Sequence, residues 1–116
     1  MPRNQSAILL LLAALGLPAS AHHGWSEYDA GRELQLTGTI AESAYEQPHG
    51  HIRLATPGKT WHAVLAPPSR MTARGLTPAA LNKGATVTVV GYPSRSKPGE
   101  MRAERIIVGG KTIELR

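Results

Sequence analysis

The chain has 116 residues, 13 Lys and Arg against 8 Asp and Glu, and no cysteine. Lack of thiols excludes a disulfide framework, a lipoprotein anchor, a cysteine nucleophile and any thiolate metal site. The length suits one small domain, and a formal charge of +5 is too small an excess for a nucleic-acid footprint.

Residues 1–21 read as an export signal. Arg3 supplies the positive start, Ala7 to Leu17 is apolar apart from Gly16, and Pro18 breaks the run. Ala19-Ser20-Ala21 then gives the small-x-small pattern of a cleavage site. The apolar run is too short to span a bilayer, which takes about 20 helical residues. The expected product starts at His22, carries no transmembrane anchor, and resides in the periplasm or outside the cell.

Residues 22–32 are polar, contain Gly24 and Gly31, and predict an extended arm. Residues 33–116 form the predicted domain. From Glu33 the pattern alternates, with Leu34, Leu36 and Ile40 on one face of a strand. Gly38 on that face predicts a bend or bulge. "YEQPHG" (45–50) is a loop. His51 to Leu65 predicts a hairpin around Pro57-Gly58. Pairing Thr56 with Lys59 puts Ile52, Leu54, Trp61, Ala63 and Leu65 on the inner face, with His51 and His62 outside. "PPSRMTARGLTPAALN" (67–82) is helical, broken at Gly75 and restarted at Thr77-Pro78. Ala85 to Tyr92, Met101 to Val108 and Thr112 to Leu115 are strands. The element order predicts a mainly β fold, a small five- to six-stranded OB-like barrel with one helix between the third and fourth strands. A different small antiparallel roll shares that order.

Signatures of phosphate cradles, nucleophile elbows and zinc proteases are absent. Asp29 is the single aspartate, and no carboxylate pair suggests acid–base work, so no enzyme is expected. The histidines are more informative. All five (His22, His23, His49, His51, His62) lie beyond the cleavage site. An amino-terminal His22 offers its amine and ring to one metal, and a further imidazole completes a planar nitrogen set that suits Cu(II) better than Zn(II). His49 is the expected partner, with His23 and His51 as alternates; Gly50 would let the backbone approach a ligand. Taken singly, each histidine is more ordinarily a polar surface residue. Arg70 at the helix start, and Arg95 and Lys97 in the 93–100 loop, are candidate anion contacts, or else solvated. Trp25 and Tyr28 either wall a site or pin the arm.

Three functions remain. The first is an exported copper carrier, sequestering protein or sensor. The second is a metal-free adaptor that binds an anionic envelope component or a protein partner. The third, a copper oxidase or oxygenase, lacks any second catalytic group. With five aromatic residues and no Phe, a base-stacking surface is not expected, and nucleic acid is not an expected partner.

"AHHGW", "EQPH", "LAPPSR", "GYPSR" and "MRAERI" together resemble a family of small exported bacterial proteins known as a domain of unknown function. The resemblance covers essentially the whole expected mature chain. It places the paired start on His22 and His23, the loop histidine on His49, the turn on Pro67 to Arg70 and a late glycine on Gly91. Gln47 departs from the Asn expected before Pro48. The resemblance implies export and a shared design, and names no reaction.

Overall fold

A computed structural model describes residues 24–116. Six strands are present: β1 (Leu34–Ala44), β2 (His51–Thr56), β3 (Lys59–Val64), β4 (Thr86–Pro93), β5 (Glu100–Val108) and β6 (Lys111–Glu114). The one α-helix among the described residues, α1 (Pro68–Ala73), lies between β3 and β4, followed by a 3-10 turn at Pro78–Leu81. The sheet order is β3-β2-β1-β4-β5-β6, and a parallel β3–β5 pairing closes it into a barrel. This is the OB-like architecture that the order of elements predicts.

Alternation places the core. Ile52 and Leu54 from β2, Ala63 from β3, Val87 and Val89 from β4, and Met101 and Ile106 from β5 are all buried, and Met71 of α1 plugs one end. The hairpin register is the expected one, from His51↔Val64 to Thr56↔Lys59. Gly58, at φ 84°, takes the left-handed position of the turn, which an L side chain adopts only with strain. Trp61 faces inward opposite Leu54 but is only partly buried. It sits toward the turn end of the hairpin, where Lys59 Nζ lies 4.2 Å from its ring centroid.

Two glycines mark close strand contacts. A Cβ on Gly38 would collide with the carbonyl oxygen of Ala55, and one on Gly91 with that of Arg102. The bulge expected at Gly38 lies further on, between Ile40 and Glu42. Gly38 instead allows β2 to pass. At Gly91 the close approach coincides with a register shift against β5.

The arm is not extended as expected. Trp25–Glu27 forms a 3-10 turn, and Tyr28 pairs with Ser94 in an isolated bridge. Arg95 ties the turn down, donating from Nε to the Ser26 carbonyl at 3.1 Å and from its backbone N–H to that of Glu27. Arg70, a candidate anion contact or else a solvated residue, donates to the Leu115 carbonyl at 3.0 Å. Arg74 similarly binds the Glu114 and Arg116 carbonyls. Both arginines therefore hold the last strand against α1. Among the described residues no helix is long and apolar enough to cross a membrane.

Candidate functional site at the barrel mouth

The parallel closure dictates what faces what. β3 and β5 pair as His62↔Glu100, Ala63↔Met101 and Val64↔Arg102. Ala63 and Met101 point into the core, so the flanking pairs point out. On a bare barrel these outer residues would be solvated. Here the docked arm covers them: Tyr28 and Arg102 are each 6 % exposed. Residues 101–103 are consequently buried on both faces of β5.

Between the arm, the β1–β2 loop and this seam runs a groove of about 290 Å³, lined by Tyr28, Glu46, Pro48, His49, His51, His62, Val64, Lys97, Glu100 and Arg102. Glu100 anchors one wall. One carboxylate oxygen accepts from Tyr28 Oη at 2.7 Å, and the other lies 3.4 Å from His62 Nδ1. Burial, reinforced by this hydrogen bond and by the charge of Glu100, pushes the Tyr28 phenol well up, so it stays a neutral donor. Burial also lowers the pKa of His62, against the opposing pull of Glu100. The imidazole is therefore neutral at pH 7.

The other wall belongs to the loop. His49 Nε2 is 3.2 Å from Arg102 Nη2, and Arg102 in turn stacks on Trp25, with its guanidinium carbon 4.4 Å from the ring centroid. Arg116 approaches the same ring at 4.4 Å. Burial, with Arg70 and Arg116 nearby, draws the Arg102 guanidinium below its ordinary range. His51 Nε2 lies 3.3 Å from Glu46 Oε2. His51 and His62, diagonal neighbours on the outer face of the hairpin, meet edge to face with centroids 5.1 Å apart.

His49 and His51 thus line one groove, as the loop and strand spacing suggests, and His62 joins them. His22 and His23 lie outside the described residues. Among the described residues no three metal-binding side chains are grouped so as to hold an ion. Gly50 serves the fold: its Cβ would fall 2.5 Å from Met71 Cε, so the close approach it allows is to α1. Tyr28 both walls the groove and pins the arm, while Trp25 pins the arm by stacking on Arg102.

Glu100 and Arg102 escape a reading of the sequence. Their β5 positions alternate correctly as outward residues, and nothing in a strand pattern shows that a distant arm will cover them. "MRAERI" is the available signal, as a motif without a role.

The fold and groove define a small OB-like barrel with a ligand-sized recess at its mouth. Residues 9–102 match the family of unknown function DUF6152, and the chain belongs to that family. No curated protein matches it. Among solved structures, the crystal structure of TiaS in complex with its tRNA and ATP is similar at 19% identity and a TM-score of 0.53. The match covers 77% of this chain and 20% of that one, so the likeness is to about a fifth of that protein and concerns the fold alone.

Proposed function

We propose that the chain acts by binding: an exported OB-like adaptor that takes an anionic group of an envelope component in the groove at its mouth. The observation that supports this best is the docked arm, which turns an open seam into a recess where OB barrels take ligands. Within that recess Glu46 and Glu100 are each turned onto a histidine. The exposed Lys97 and the buried Arg102 supply its positive charge.

Flotation with phosphatidylglycerol and phosphatidylcholine vesicles tests the reading. Binding to the anionic vesicles alone is expected, weakened several-fold by Lys97→Glu and unchanged by Lys83→Glu, which lies outside the groove. Equal losses from the two variants would reduce the effect to net charge and remove the groove from it.

A second reading, copper binding by His22 with His49 and with His23 or His51 as alternates, takes its support from the contacts that tie the arm to the loop histidine. Trp25 sits on Arg102, and Arg102 on His49. Cu(II) titration of chains that begin at His22, or at a Met placed before it, decides this. Equal affinities, or no effect of His49→Ala, would exclude the shared site. Zn(II) should bind this nitrogen set more weakly than Cu(II). Turnover with a reductant and oxygen would be needed to revive an oxidase.

A further inference from the structure

Strand register extends the groove across the outer face of the barrel. Glu42 stands opposite Arg53, and Ala44 opposite His51, between β1 and β2. Arg53 then stands opposite His62, and His51 opposite Val64, between β2 and β3. Directly opposed residues share one face of a sheet, so all six point outward with His51 and His62. The short side chains of Ala44 and Val64 leave hollows among longer neighbours. The hollow at Val64 belongs to the groove.

The hollow at Ala44 is a separate recess of about 240 Å³, lined by Glu42, Ser43, Ala44, His51, Arg53 and His62. His51 and His62 line both hollows, so the two adjoin along these rings. At about 240 and 290 Å³, each stands at the floor of the roughly 300–1,000 Å³ range of small-molecule sites. Joined, they lie well inside it. Their ends differ in charge. Lys97 and Arg102 make the groove end positive, whereas in the recess Arg53 is matched by Glu42, with 3.9 Å between Nε and Oε1. These two side chains are 55 % and 76 % exposed, and so long a contact between exposed groups holds neither in place. Together they offer a donor fork and a carboxylate acceptor without net charge. One end suits an anion, the other a neutral group rich in hydroxyls.

We propose that groove and recess together bind an acidic oligosaccharide of at least two units. An acidic sugar lies at Lys97 and Arg102, and a neutral sugar lies over Ala44 with its hydroxyls on Arg53 and Glu42. The inference rests on the anion reading for its first unit, and names an extended glycan as the component that carries the charge. The outer face of the second and third strands, with the loops beside it, is where OB barrels take oligosaccharides. The histidine pair, edge to face with centroids 5.1 Å apart, stands between the two ends.

Isothermal titration of the full 116-residue chain with three probes tests the proposal. They are a hyaluronan tetrasaccharide, in which glucuronic acid alternates with N-acetylglucosamine, glucuronic acid alone, and the neutral cellotetraose. The tetrasaccharide should bind at least tenfold tighter than either of the others. Ala44→Phe fills the recess without changing charge, and should weaken the tetrasaccharide at least fivefold while leaving glucuronic acid unchanged. Arg53→Ala should weaken it several-fold. Lys83→Ala, an equal loss of charge outside both hollows, should not. An unchanged circular-dichroism melt shows that each variant is folded; should one unfold, the ratio of tetrasaccharide to glucuronic acid affinity in the wild type still decides. Tetrasaccharide binding no tighter than that of glucuronic acid, or equal in wild type, Ala44→Phe and Arg53→Ala, overturns the inference. The anion reading is judged separately, by the effect of Lys97→Glu on vesicle binding. Vesicles that respond where the tetrasaccharide fails would keep that reading and confine its ligand to the groove.

Discussion

Tyr28 and Glu100 stand 72 positions apart in sequence and share a 2.7 Å hydrogen bond. This contact joins the arm to the strand that closes the barrel, and through Glu100 it reaches His62. The mouth of the protein is organised around it.

Tyr28→Phe keeps the ring and removes the donor. Hydrogen bonds to charged groups contribute about 1.5–3 kcal/mol, so a loss near the lower end is expected for this partly buried pair. Urea unfolding followed by Trp25 and Trp61 fluorescence measures it. Glu100→Gln in a double-mutant cycle should show coupling, and strict additivity would show that the bond contributes nothing.

Trp61→Ala should destabilise by about 2 kcal/mol, below the 3–5 kcal/mol usual for a fully buried aromatic. Partial burial at the hairpin end is the reason. Ile52→Ala, at a fully buried position, should cost about 3–4 kcal/mol. Reversal of that order in denaturation midpoints would contradict the placement of Trp61.

Much of this is legible in the pattern of residues. Alternation in Leu34 to Ile40 and in His51 to Leu65 specifies both register and inner face, because a slip by one would turn Ile52 and Leu54 to solvent. Gly38 stands out on its strand, but a sequence does not distinguish a bulge from a close strand approach. The roles of Arg70 and Arg95, left open between anion contact and solvated residue, are not legible for one shared reason. Each bonds to a backbone carbonyl contributed by a distant segment, and a carbonyl has no sequence signature. Glu100 and Arg102 are hidden by the arm that buries them.

Gly91→Ala should be among the most disruptive single changes, because its Cβ would collide with the backbone of Arg102. A backbone carbonyl cannot turn aside as a flexible side chain can, and so β4 and β5 would have to part. Gly58→Ala meets no atom within 4 Å and costs only the strain of its positive φ, about 1 kcal/mol. Thermal unfolding of the pair should show a large fall in the first and a shift of a few degrees in the second.

Acid should destabilise the fold through His62. Its pKa in the folded protein lies below the ordinary value of 6.5 because burial disfavours the imidazolium, while His51 and Arg53 nearby add to the effect and Glu100 opposes it. The unfolded chain therefore takes up the proton first, and this contribution is present above pH 6.5 and lost as pH falls through the lower folded value. The urea midpoint should drop more between about pH 7.5 and 5.5 in the wild type than in His62→Gln. Parallel profiles would assign the acid sensitivity to other groups.

The stacking of Trp25 and Arg116, 4.4 Å apart, has a topological consequence. The first and last described stretches of chain meet, so the barrel and its arm trace a nearly closed loop. A short flexible linker could join them, while the Pro57-Gly58 turn, exposed and remote in sequence from both, could serve as the new pair of ends. Such a permuted chain would retain every strand pairing apart from the cut turn, yet it would make the arm an internal connection, held at both sides. Order at the mouth would then follow from connectivity as well as from the contacts of Tyr28, Arg95 and Trp25.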